Sequence, residues 1–389
     1  MYRPTYIEVD GNKLENNVKD IKKKYNDYKY FFAVVKNNAY HHGMYAIKYL
    51  INGGINYLAV SSLDEALQAR KYDSSIPILC LEPIKTEFIY DAINYSVTLT
   101  ISSINDVENL KKLKLTDDVK VHIKIDSGMN RLGFKSVKEF KKAYDELSCM
   151  KHVEVEGIYT HFATSGIMDK HYGDQVEKFK MIISSIDYKK VPIIHADRSL
   201  TFVVHDKLEF ENGVRLGISL YGYKQNIPEG SFLTRLKRKL KQRKFNIENV
   251  HLSNDLSVEY AFSMYSEVIE TKNACKGEFC GYGAEYVFEE DTKIAVIACG
   301  YSDGVIKNFK YVYINNKPCE IIAECMNMIV IKANSKVKIG DKVEIIGPNQ
   351  SLKTIGNRLG VNGHRVLNYF STNVPIVYKY NGEKLEIKY

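Results

Sequence analysis

Eight short apolar runs, rich in β-branched and aromatic residues, alternate with longer amphipathic stretches before residue 225, and this repeat restricts the possible folds most. The runs begin at Tyr30, Tyr57, Ile76, Val97, Val119, Val155, Val191 and Gly213. Amphipathic segments such as SLDEALQARKY and SVKEFKKAYDEL lie between them and open with residues suited to an N-cap. Repeated βα units predict a parallel sheet, here a closed (β/α)8 TIM-type barrel, with a doubly wound sheet as the alternative.

From about residue 226 the pattern changes to β-rich segments joined by close turns, and NGEKL near the C-terminus indicates a hairpin. We therefore predict a barrel domain over residues 10–225 and a second, mainly β domain over residues 226–389, to which residues 1–9 add a strand. A basic insertion near residues 234–246 contains the run RLKRKLKQRK (Arg235–Lys244). This run predicts a solvated helix face or a mobile insertion, with an acidic partner such as nucleic acid as the less favoured alternative.

The composition is that of a folded globular protein, since 45% of the residues are hydrophobic and 26% are charged. The longest apolar run is far shorter than a membrane helix, and the N-terminus lacks the apolar core of a signal peptide. We expect a cytoplasmic protein without a membrane partner. The 7 cysteines include no Cys-x-x-Cys pair, so we expect reduced thiols and no metal site.

Active sites of (β/α)8 barrels lie at the carboxyl ends of the strands, and polar residues end several of the predicted strands here. Lys36 follows the first strand, Lys124 and Asp126 end the fifth, His161 follows the sixth, and Arg215 lies in the eighth. Five apolar residues precede Lys36, so we expect its amine to be partly desolvated and its pKa to be lowered. Such an amine is suited to forming a Schiff base with an aldehyde cofactor.

The segment AVVKNNAYHHG (residues 33–43) resembles the lysine motif of alanine racemases, which use pyridoxal 5′-phosphate (PLP). Further segments follow in the order of that family: HIKIDSGMNRLGF, GIYTHFATS, HADRS, VRLGISLYG, GYGAEY, CGYSDG and ECMNM. Because these motifs span nearly the whole chain, the sequence is identified as a member of the alanine racemase family. The resemblance implies a homodimer with shared active sites and a two-base mechanism.

The resemblance also implies which residues bind the cofactor. Lys36 would hold PLP as a Schiff base and serve as one of the two bases. Arg215 would face the pyridine nitrogen, and His161 would orient Arg215. The phosphate would be held by Tyr40, Ser199, Gly217, Ile218 and, at the position of a family tyrosine, His364. Since arginine does not give up its proton, the pyridine nitrogen would stay unprotonated and the carbanion short-lived, which favours racemisation over transamination.

For the substrate, the resemblance implies that Tyr282 of the partner subunit is the second base. Tyr301 and Met326 would also come from the partner subunit and line the substrate side of the site. Arg131 would bind the substrate carboxylate and the phenolic oxygen of PLP. Lys124 matches a lysine that is carbamylated in many family members, which would convert a cation facing Arg131 into an anion.

Several positions depart from the family pattern, among them Arg198 for a usual asparagine, Asn327 for an aspartate and His364 for a tyrosine. The resemblance implies interconversion of L- and D-alanine, which would supply D-alanine for peptidoglycan. Because histidine is smaller than tyrosine and polar, racemisation of serine or another small amino acid is the main alternative. A PLP amino-acid decarboxylase and a non-catalytic PLP-binding protein are weaker alternatives.

Overall fold

The computed structural model describes residues 3–224, 230–245, 247, 250–251 and 256–387. The chain forms two compact units. One comprises Met1–Lys13, Tyr40–Ala46 and Tyr260–Tyr389, and the other comprises Leu14–Ala39 and Ile47–Glu259. The predicted domain boundary at residues 225 and 226 lies outside the described residues, so the predicted domain limits stay a prediction.

Strands and helices are numbered in chain order. The described strands are β1 (Tyr6–Asp10), β2 (Tyr30–Val34), β3 (Tyr57–Val60), β4 (Ile78–Cys80), β5 (Val97–Ile101), β6 (Val119–Lys124), β7 (Val153–Tyr159), β8 (Ile193–Arg198), β9 (Gly213–Leu216), β10 (Phe262–Ala274), β11 (Phe279–Cys280), β12 (Tyr286–Val287), β13 (Thr292–Ile297), β14 (Tyr311–Ile314), β15 (Lys317–Glu324), β16 (Ile329–Lys332), β17 (Lys342–Ile346), β18 (Ile376–Tyr380) and β19 (Glu383–Ile387).

The described helices are α1 (Gly11–Lys24), α2 (Lys36–Tyr40), α3 (Ala46–Gly53), α4 (Leu63–Arg70), α5 (Ile89–Asn94), α6 (Ile104–Lys111), α7 (Val137–Cys149), α8 (His171–Ile183), α9 (Thr201–Val204), α10 (Phe232–Lys244), α11 (Leu352–Leu359) and α12 (Gly363–Val366). Among the described residues, no helix is long and apolar enough to cross a membrane.

Strands β2 to β9 form a closed parallel barrel, which confirms the predicted barrel and all eight of its strands. Neighbouring strands pair in chain order, and β9 returns to β2 with Arg215 opposite Phe32. All residues of β3 and β5 are buried, as expected for parallel strands covered by helices on the outside and side chains on the inside. Serine side chains cap α4 and α7 as the sequence predicts, through Ser62 and Ser136, and Ser103 caps α6.

The second unit is mainly β, as predicted. Among its described residues, nine strands form one sheet in the order β13-β16-β15-β14-β17-β10-β1-β18-β19. The long strand β10 also pairs with β13, so six of these strands form a closed ring. The predicted hairpin joins β18 to β19 through Asn381 and Gly382, whose φ angles of 49° and 85° fit a type I′ turn.

Two glycines, one in the barrel wall and one on a surface helix, allow a test of how tightly the barrel interior is packed. A Cβ atom at Gly157 on β7 would lie 2.5 Å from the ring of His122, whereas a Cβ atom at Gly173 on α8 would meet nothing within 4 Å. We expect Gly157→Ala to lower the free energy of unfolding by about 1–3 kcal/mol, because the barrel must expand around the new methyl group. The matched control Gly173→Ala should raise it by about 0.5–1 kcal/mol. Urea unfolding of both variants measures the difference, and equal stability of Gly157→Ala and the wild type would contradict the packing described here.

Candidate active site

The carboxyl ends of the barrel strands carry the predicted cofactor residues of the barrel unit. Lys36 follows β2, Lys124 ends β6, His161 follows β7, Ser199 follows β8, and Arg215 lies near the end of β9. In a closed parallel barrel these ends form one rim, and active sites of this fold lie there. The barrel therefore brings together residues that are far apart in sequence.

The chain after Lys36 turns in a left-handed conformation that residues with side chains rarely adopt. From Asn37 to His41 the φ angles lie between 50° and 66°. Asparagine tolerates this region better than most residues, so the pair Asn37 and Asn38 suits the turn. A run of left-handed residues is costly and is typical of functional sites, where the surrounding structure enforces it.

Lys36 itself is exposed in the chain. The expectation that the preceding apolar residues would desolvate its amine is therefore wrong. Those residues, Phe31 to Val35, are buried in the barrel, but the strand ends at Val34, before the lysine.

Arg215 is a buried cation whose terminal nitrogens are held by uncharged acceptors. Nη1 donates to Nδ1 of His195 (2.7 Å) and to its carbonyl oxygen (2.9 Å). Nη2 donates to the carbonyl oxygens of Thr160 (2.6 Å) and Ala196 (2.9 Å). These four contacts use all four terminal hydrogens, and among the described residues no hydrogen bond engages the Nε–H. Burial lowers the pKa of Arg215 to about 10, so the side chain remains a cation at neutral pH.

His195 connects Arg215 to a carboxylate deeper in the barrel. Its Nε2 lies 2.9 Å from Nδ1 of His122, and Nε2 of His122 lies 3.2 Å from Oε2 of Glu156. Because arginine only donates, Nδ1 of His195 must accept and its Nε2 must carry the proton. His122 then accepts at Nδ1 and donates from Nε2 to Glu156. One consistent direction of donation thus runs from Arg215 to Glu156.

The protonation states of this relay agree with that direction. Burial, followed by the charge of Arg215, holds the pKa of His195 well below its usual range, and burial also lowers the pKa of His122. Burial alone would raise the pKa of Glu156, but hydrogen bonds from His122, Lys120 and Tyr57 lower it to about 2. Both histidines are therefore neutral, and the carboxylate of Glu156 is ionised and forms an ion pair with Lys120 at 2.6 Å.

Aromatic rings hold the first histidine of the relay in place. The imidazole of His195 is stacked between Phe32, at 4.5 Å, and Tyr159, at 4.8 Å between ring centroids. The guanidinium of Arg215 also lies 5.3 Å from the centroid of Tyr159. These contacts restrict rotation of both side chains, so the orientation of Arg215 is set before any ligand binds.

His161 does not make the predicted contact with Arg215, because the described hydrogen bonds of Arg215 go to His195, Thr160 and Ala196. His161 lies at the same rim, where burial and then the charge of Arg215 hold its pKa well below its usual range. Its imidazole is therefore neutral and adjacent to the cations without being bonded to Arg215.

Lys124 is buried among other cations at the rim. Burial, followed by repulsion from Arg131 and Arg215, lowers its pKa to about 8. Its Nζ lies 5.1 Å from the ring centroid of Tyr159. Lys124 is thus partly neutral near neutral pH, which makes its amine a better nucleophile than an ordinary lysine.

The loop after β6 carries Arg131 on a fixed backbone. Oδ1 of the buried Asp126 accepts hydrogen bonds from the amides of Gly128 (3.0 Å) and Asn130 (2.9 Å). The amide of Phe134 donates to the carbonyl oxygen of Lys124 at 2.9 Å, which closes the loop. Arg131 is exposed at its tip. The structure therefore presents the Arg131 guanidinium beside the amine of Lys124.

Ser199 and Gly217 lie together where β8 and β9 end. The amide of Gly217 donates to the hydroxyl oxygen of the buried Ser199 at 2.8 Å. Gly217 and Ile218 begin a turn in which their carbonyl oxygens accept from Leu220 and Tyr221. A small hydroxyl and turn amides of this kind are suited to holding a phosphate group. The neighbouring Arg198 donates from Nε to the carbonyl oxygen of Phe162 at 3.1 Å, which ties this departure from the family pattern to the end of β7.

In the β unit, the structure brings Tyr282 and Tyr301 to one groove. Gly281, Tyr282, Tyr301, Lys307 and Ala323 line this groove. Tyr282 is 76% exposed, which leaves its phenol accessible.

Met326 lies beside the same turn as Tyr301. The carbonyl oxygens of Cys325 and Met326 accept from the amides of Tyr301 (3.1 Å) and Ser302 (2.9 Å). The side chain of Asn327 donates to the hydroxyl oxygen of Ser302 at 2.8 Å, so this departure from the family aspartate supports the turn within its own chain.

Tyr40 and His364 also belong to the β unit. Both side chains are half-buried. Burial raises the pKa of Tyr40 to about 12, so it remains a neutral hydrogen-bond donor. His364 lies in the short helix α12, and burial, followed by the charge of Arg365, lowers its pKa. Its imidazole is therefore uncharged near neutral pH.

The sequence did not predict His122 and Glu156 as functional residues, nor the contact between His195 and Arg215. A signal was available, since His122 stands between the apolar Val121 and Ile123 in β6, and Glu156 stands in β7 beside a glycine. A polar side chain that is buried in a strand requires a hydrogen-bonding partner. Only the register of the barrel shows that these residues are partners of one another.

The lowered pKa of Lys124 predicts a pH-dependent stability. Its pKa is about 8 in the folded chain and 10.5 without perturbation, so between these values the unfolded chain binds more protons and stability rises with pH. We expect Lys124→Met to be more stable than the wild type by about 1–3 kcal/mol at pH 7, with the gap closing as the pH rises through this window.

Urea unfolding over this pH range in bicarbonate-free buffer measures the gap, and Lys138→Met, at an exposed lysine, controls for loss of a surface lysine. A gap that does not change with pH would show that burial and repulsion do not act on Lys124 as described.

Comparison with known proteins places this site in a family. Residues 9–225 match the family described as "Alanine racemase, N-terminal domain", and residues 261–378 match "Alanine racemase, C-terminal domain". An alanine racemase of Staphylococcus saprophyticus is 33% identical, and the match covers 100% of this chain and 97% of the relative.

Solved structures share the whole architecture. An alanine racemase of Bacillus anthracis with bound L-Ala-P has a TM-score of 0.86 and 30% identity, covering 100% of this chain and 98% of the other. A histidine racemase of Leuconostoc mesenteroides has a TM-score of 0.81, covering 97% of this chain and 98% of the other, and at 24% identity it shows the fold alone. Since both family domains match and a full-length relative exceeds 30% identity, the chain belongs to the alanine racemase family.

Proposed function

We propose that this chain is a PLP-dependent amino-acid racemase that interconverts L- and D-alanine and works as a homodimer. In a cell that builds peptidoglycan, the enzyme would act in the cytoplasm and supply D-alanine for peptidoglycan. The two proposed bases are Lys36 and Tyr282 of the partner subunit.

The observation that carries the proposal is the Nε–H of Arg215. All other donors of this buried cation are engaged by Thr160, His195 and Ala196, and the remaining donor belongs to a side chain that cannot rotate freely. A donor that the protein leaves unused, on a side chain that is otherwise fully engaged, is available to an acceptor from a ligand. An uncharged ring nitrogen such as that of PLP is a matching acceptor, and an arginine would not protonate it.

The other residues present also fit PLP. Its phosphate would be held by Ser199, Gly217, Ile218, Tyr40 and His364, and Lys36 would bind its aldehyde. Hydroxyls, turn amides and a neutral phenol suit a phosphate dianion. When bound, PLP withdraws electrons from the substrate's α-carbon and so acidifies the α-proton.

The proposed chemistry needs two proton carriers on opposite faces of the substrate's α-carbon. The exposed amine of Lys36 would act on one face. The phenol of Tyr282 of the partner subunit would act on the other, and its high exposure within its own chain agrees with a function toward a second subunit. A proton removed by one group and returned by the other inverts the configuration.

Arg131 would bind the substrate carboxylate, with Tyr301 and Met326 of the partner subunit bounding the pocket. Two adjacent cations, Arg131 and Lys124, repel each other in the free chain. If the Lys124 amine attacks carbon dioxide and loses one proton, the resulting carbamate anion would attract Arg131 instead. The pKa of about 8 leaves enough neutral amine for this reaction near neutral pH.

The side-chain preference depends on His364 in our proposal. A neutral, half-buried imidazole in place of a tyrosine leaves more space and adds a hydrogen-bonding group. Serine is therefore the second candidate substrate. The fold does not decide between side chains, since a histidine racemase shares it.

A decarboxylase is less well supported. Decarboxylation does not require a second base opposite Lys36, and the exposed Tyr282 would then have no function in the reaction. A protein that only holds PLP would need neither Arg131 nor the groove around Tyr282 and Tyr301.

The proposed activity predicts exchange of the substrate's α-proton with solvent. We expect PLP-loaded protein in D₂O to exchange the α-proton of L-alanine and to yield equal amounts of both enantiomers, as followed by NMR and chiral chromatography. L-Serine and L-histidine are measured in parallel, and we expect His364→Tyr to shift the ratio of kcat/KM toward alanine. Formation of amine would identify a decarboxylase, and absence of exchange with all three amino acids would overturn the proposed activity.

Shared active sites predict complementation between two inactive variants. We expect Lys36→Ala and Tyr282→Phe each to lower kcat by a factor of at least about 100, because each removes one proton carrier. Mixed dimers of the two variants would contain one intact site, so an equimolar mixture that exchanges subunits should recover about a quarter of the wild-type activity. The Tyr282→Phe variant alone, at the same total concentration and treated in the same way, is the control. No recovery, despite subunit exchange shown by mass spectrometry, would place both bases in the same chain.

A further inference from the structure

Helix α10 carries the densest positive charge in the chain. Its 13 residues, FLTRLKRKLKQRK, contain seven lysines and arginines and no acidic residue. The hydroxyl of Ser231 accepts from the amide of Thr234 and caps the helix. The run that the sequence predicted as a solvated helix face is therefore a regular, capped helix.

The exposed and buried faces of this helix are the opposite of those in an ordinary surface helix. Phe232, Leu233, Leu236 and Leu240 are 71%, 73%, 45% and 57% exposed. By contrast, Arg238 is only 5% exposed. A surface helix normally buries its apolar stripe and exposes its charges. Here part of the polar face is buried and the apolar stripe faces the solvent.

The apolar residues form one continuous stripe. Phe232, Leu236 and Leu240 follow at intervals of four, and Leu233 lies beside them on the same face. The exposed cations Lys237, Lys239 and Lys244 flank this stripe on the helical surface, and Arg243 ends it one turn after Leu240. An apolar centre with a basic border is the pattern of helices that lie in the interface of an anionic membrane.

We propose that α10 binds reversibly to the surface of an anionic lipid bilayer. Leucine and phenylalanine side chains would enter the boundary between headgroups and acyl chains, and the flanking cations would face the phosphate groups. The absence of a membrane-spanning helix from the described part of the chain does not oppose this, because an interfacial helix lies in the plane of the membrane.

Other occupants fit this surface less well. A second copy of α10 would bring two sets of seven cations together without any acidic residue to offset them. Nucleic acid would satisfy the charges, but its backbone offers no apolar surface for four exposed hydrophobic side chains. A bilayer supplies both the anionic and the apolar part.

The inference does not depend on the racemase activity. None of the α10 residues belongs to the proposed catalytic site, so membrane binding and catalysis are separate measurements. A variant that loses membrane binding can still be tested for catalysis, and a variant that loses catalysis can still be tested for membrane binding.

The experiment is co-sedimentation of the full-length, PLP-loaded protein with vesicles. We expect binding to phosphatidylcholine vesicles that contain about a quarter phosphatidylglycerol, and little binding to pure phosphatidylcholine. Lys237→Glu with Lys239→Glu should lower the partition coefficient by at least about fivefold per residue. Leu236→Ser with Leu240→Ser should also lower it at least tenfold, on the order of the loss of two buried leucines.

A matched control separates the stripe from apolar exposure in general. Met181 on α8 is 57% exposed, as is Leu240, so Met181→Ser should bind vesicles like the wild type. The chain has no tryptophan, which makes Phe232→Trp a site-specific reporter. Its emission should shift to the blue with anionic vesicles and remain unchanged with neutral ones.

Three results would overturn the proposal. Equal binding to neutral and anionic vesicles would remove the charge argument. Tighter binding to duplex DNA than to anionic vesicles, together with an unshifted Phe232→Trp emission on vesicles, would assign the helix to nucleic acid. Self-association that disappears in the Leu236→Ser, Leu240→Ser variant, without vesicle binding of the wild type, would assign the stripe to a second copy of the chain.

Discussion

The burial of one positive charge, that of Arg215, sets the conditions for the rest of the barrel site. Moving a guanidinium out of water is costly unless its donors are satisfied and its charge is balanced. The barrel satisfies the four terminal hydrogens with Thr160, His195 and Ala196, and two neutral histidines connect the guanidinium to the ionised carboxylate of Glu156. Since each histidine must accept at one nitrogen and donate from the other, the relay fixes both tautomers. Removing any member would leave a buried polar group without its partner.

The rim of the barrel has an excess of cations. Arg131, Arg215 and Lys36 all act on Lys124, and Asp126 is the carboxylate that offsets them. Its oxygen also fixes the loop that carries Arg131. Clustered cations are unfavourable in the free protein and favourable once anionic groups arrive. A cofactor phosphate, a substrate carboxylate and a lysine carbamate are such groups. The free chain thus holds electrostatic repulsion that our proposed ligands would relieve.

The two units contribute different kinds of residue. The barrel unit provides buried, hydrogen-bonded groups whose positions are restricted by packing, such as Arg215 between His195 and Tyr159. The β unit provides exposed groups, with Tyr282 and Tyr301 along one groove. An exposed phenol is available to another surface, and a second subunit is the partner that we propose. Helix α10 likewise exposes side chains, here apolar ones, to which we assign a binding partner.

The sequence by itself determined the fold class, the eight barrel strands, the helix caps at Ser62 and Ser136, and the hairpin at Asn381. Each depends on local patterns, namely apolar periodicity, capping residues and turn residues, that need no knowledge of distant contacts. The motifs also indicated the family. The tertiary structure alone decided that Lys36 is exposed, that His195 and not His161 holds Arg215, and that α10 shows its apolar side to solvent. These features depend on strand register, ring stacking and the side of a helix that meets the protein, which are contacts between residues far apart in the chain and therefore leave no local trace in the sequence.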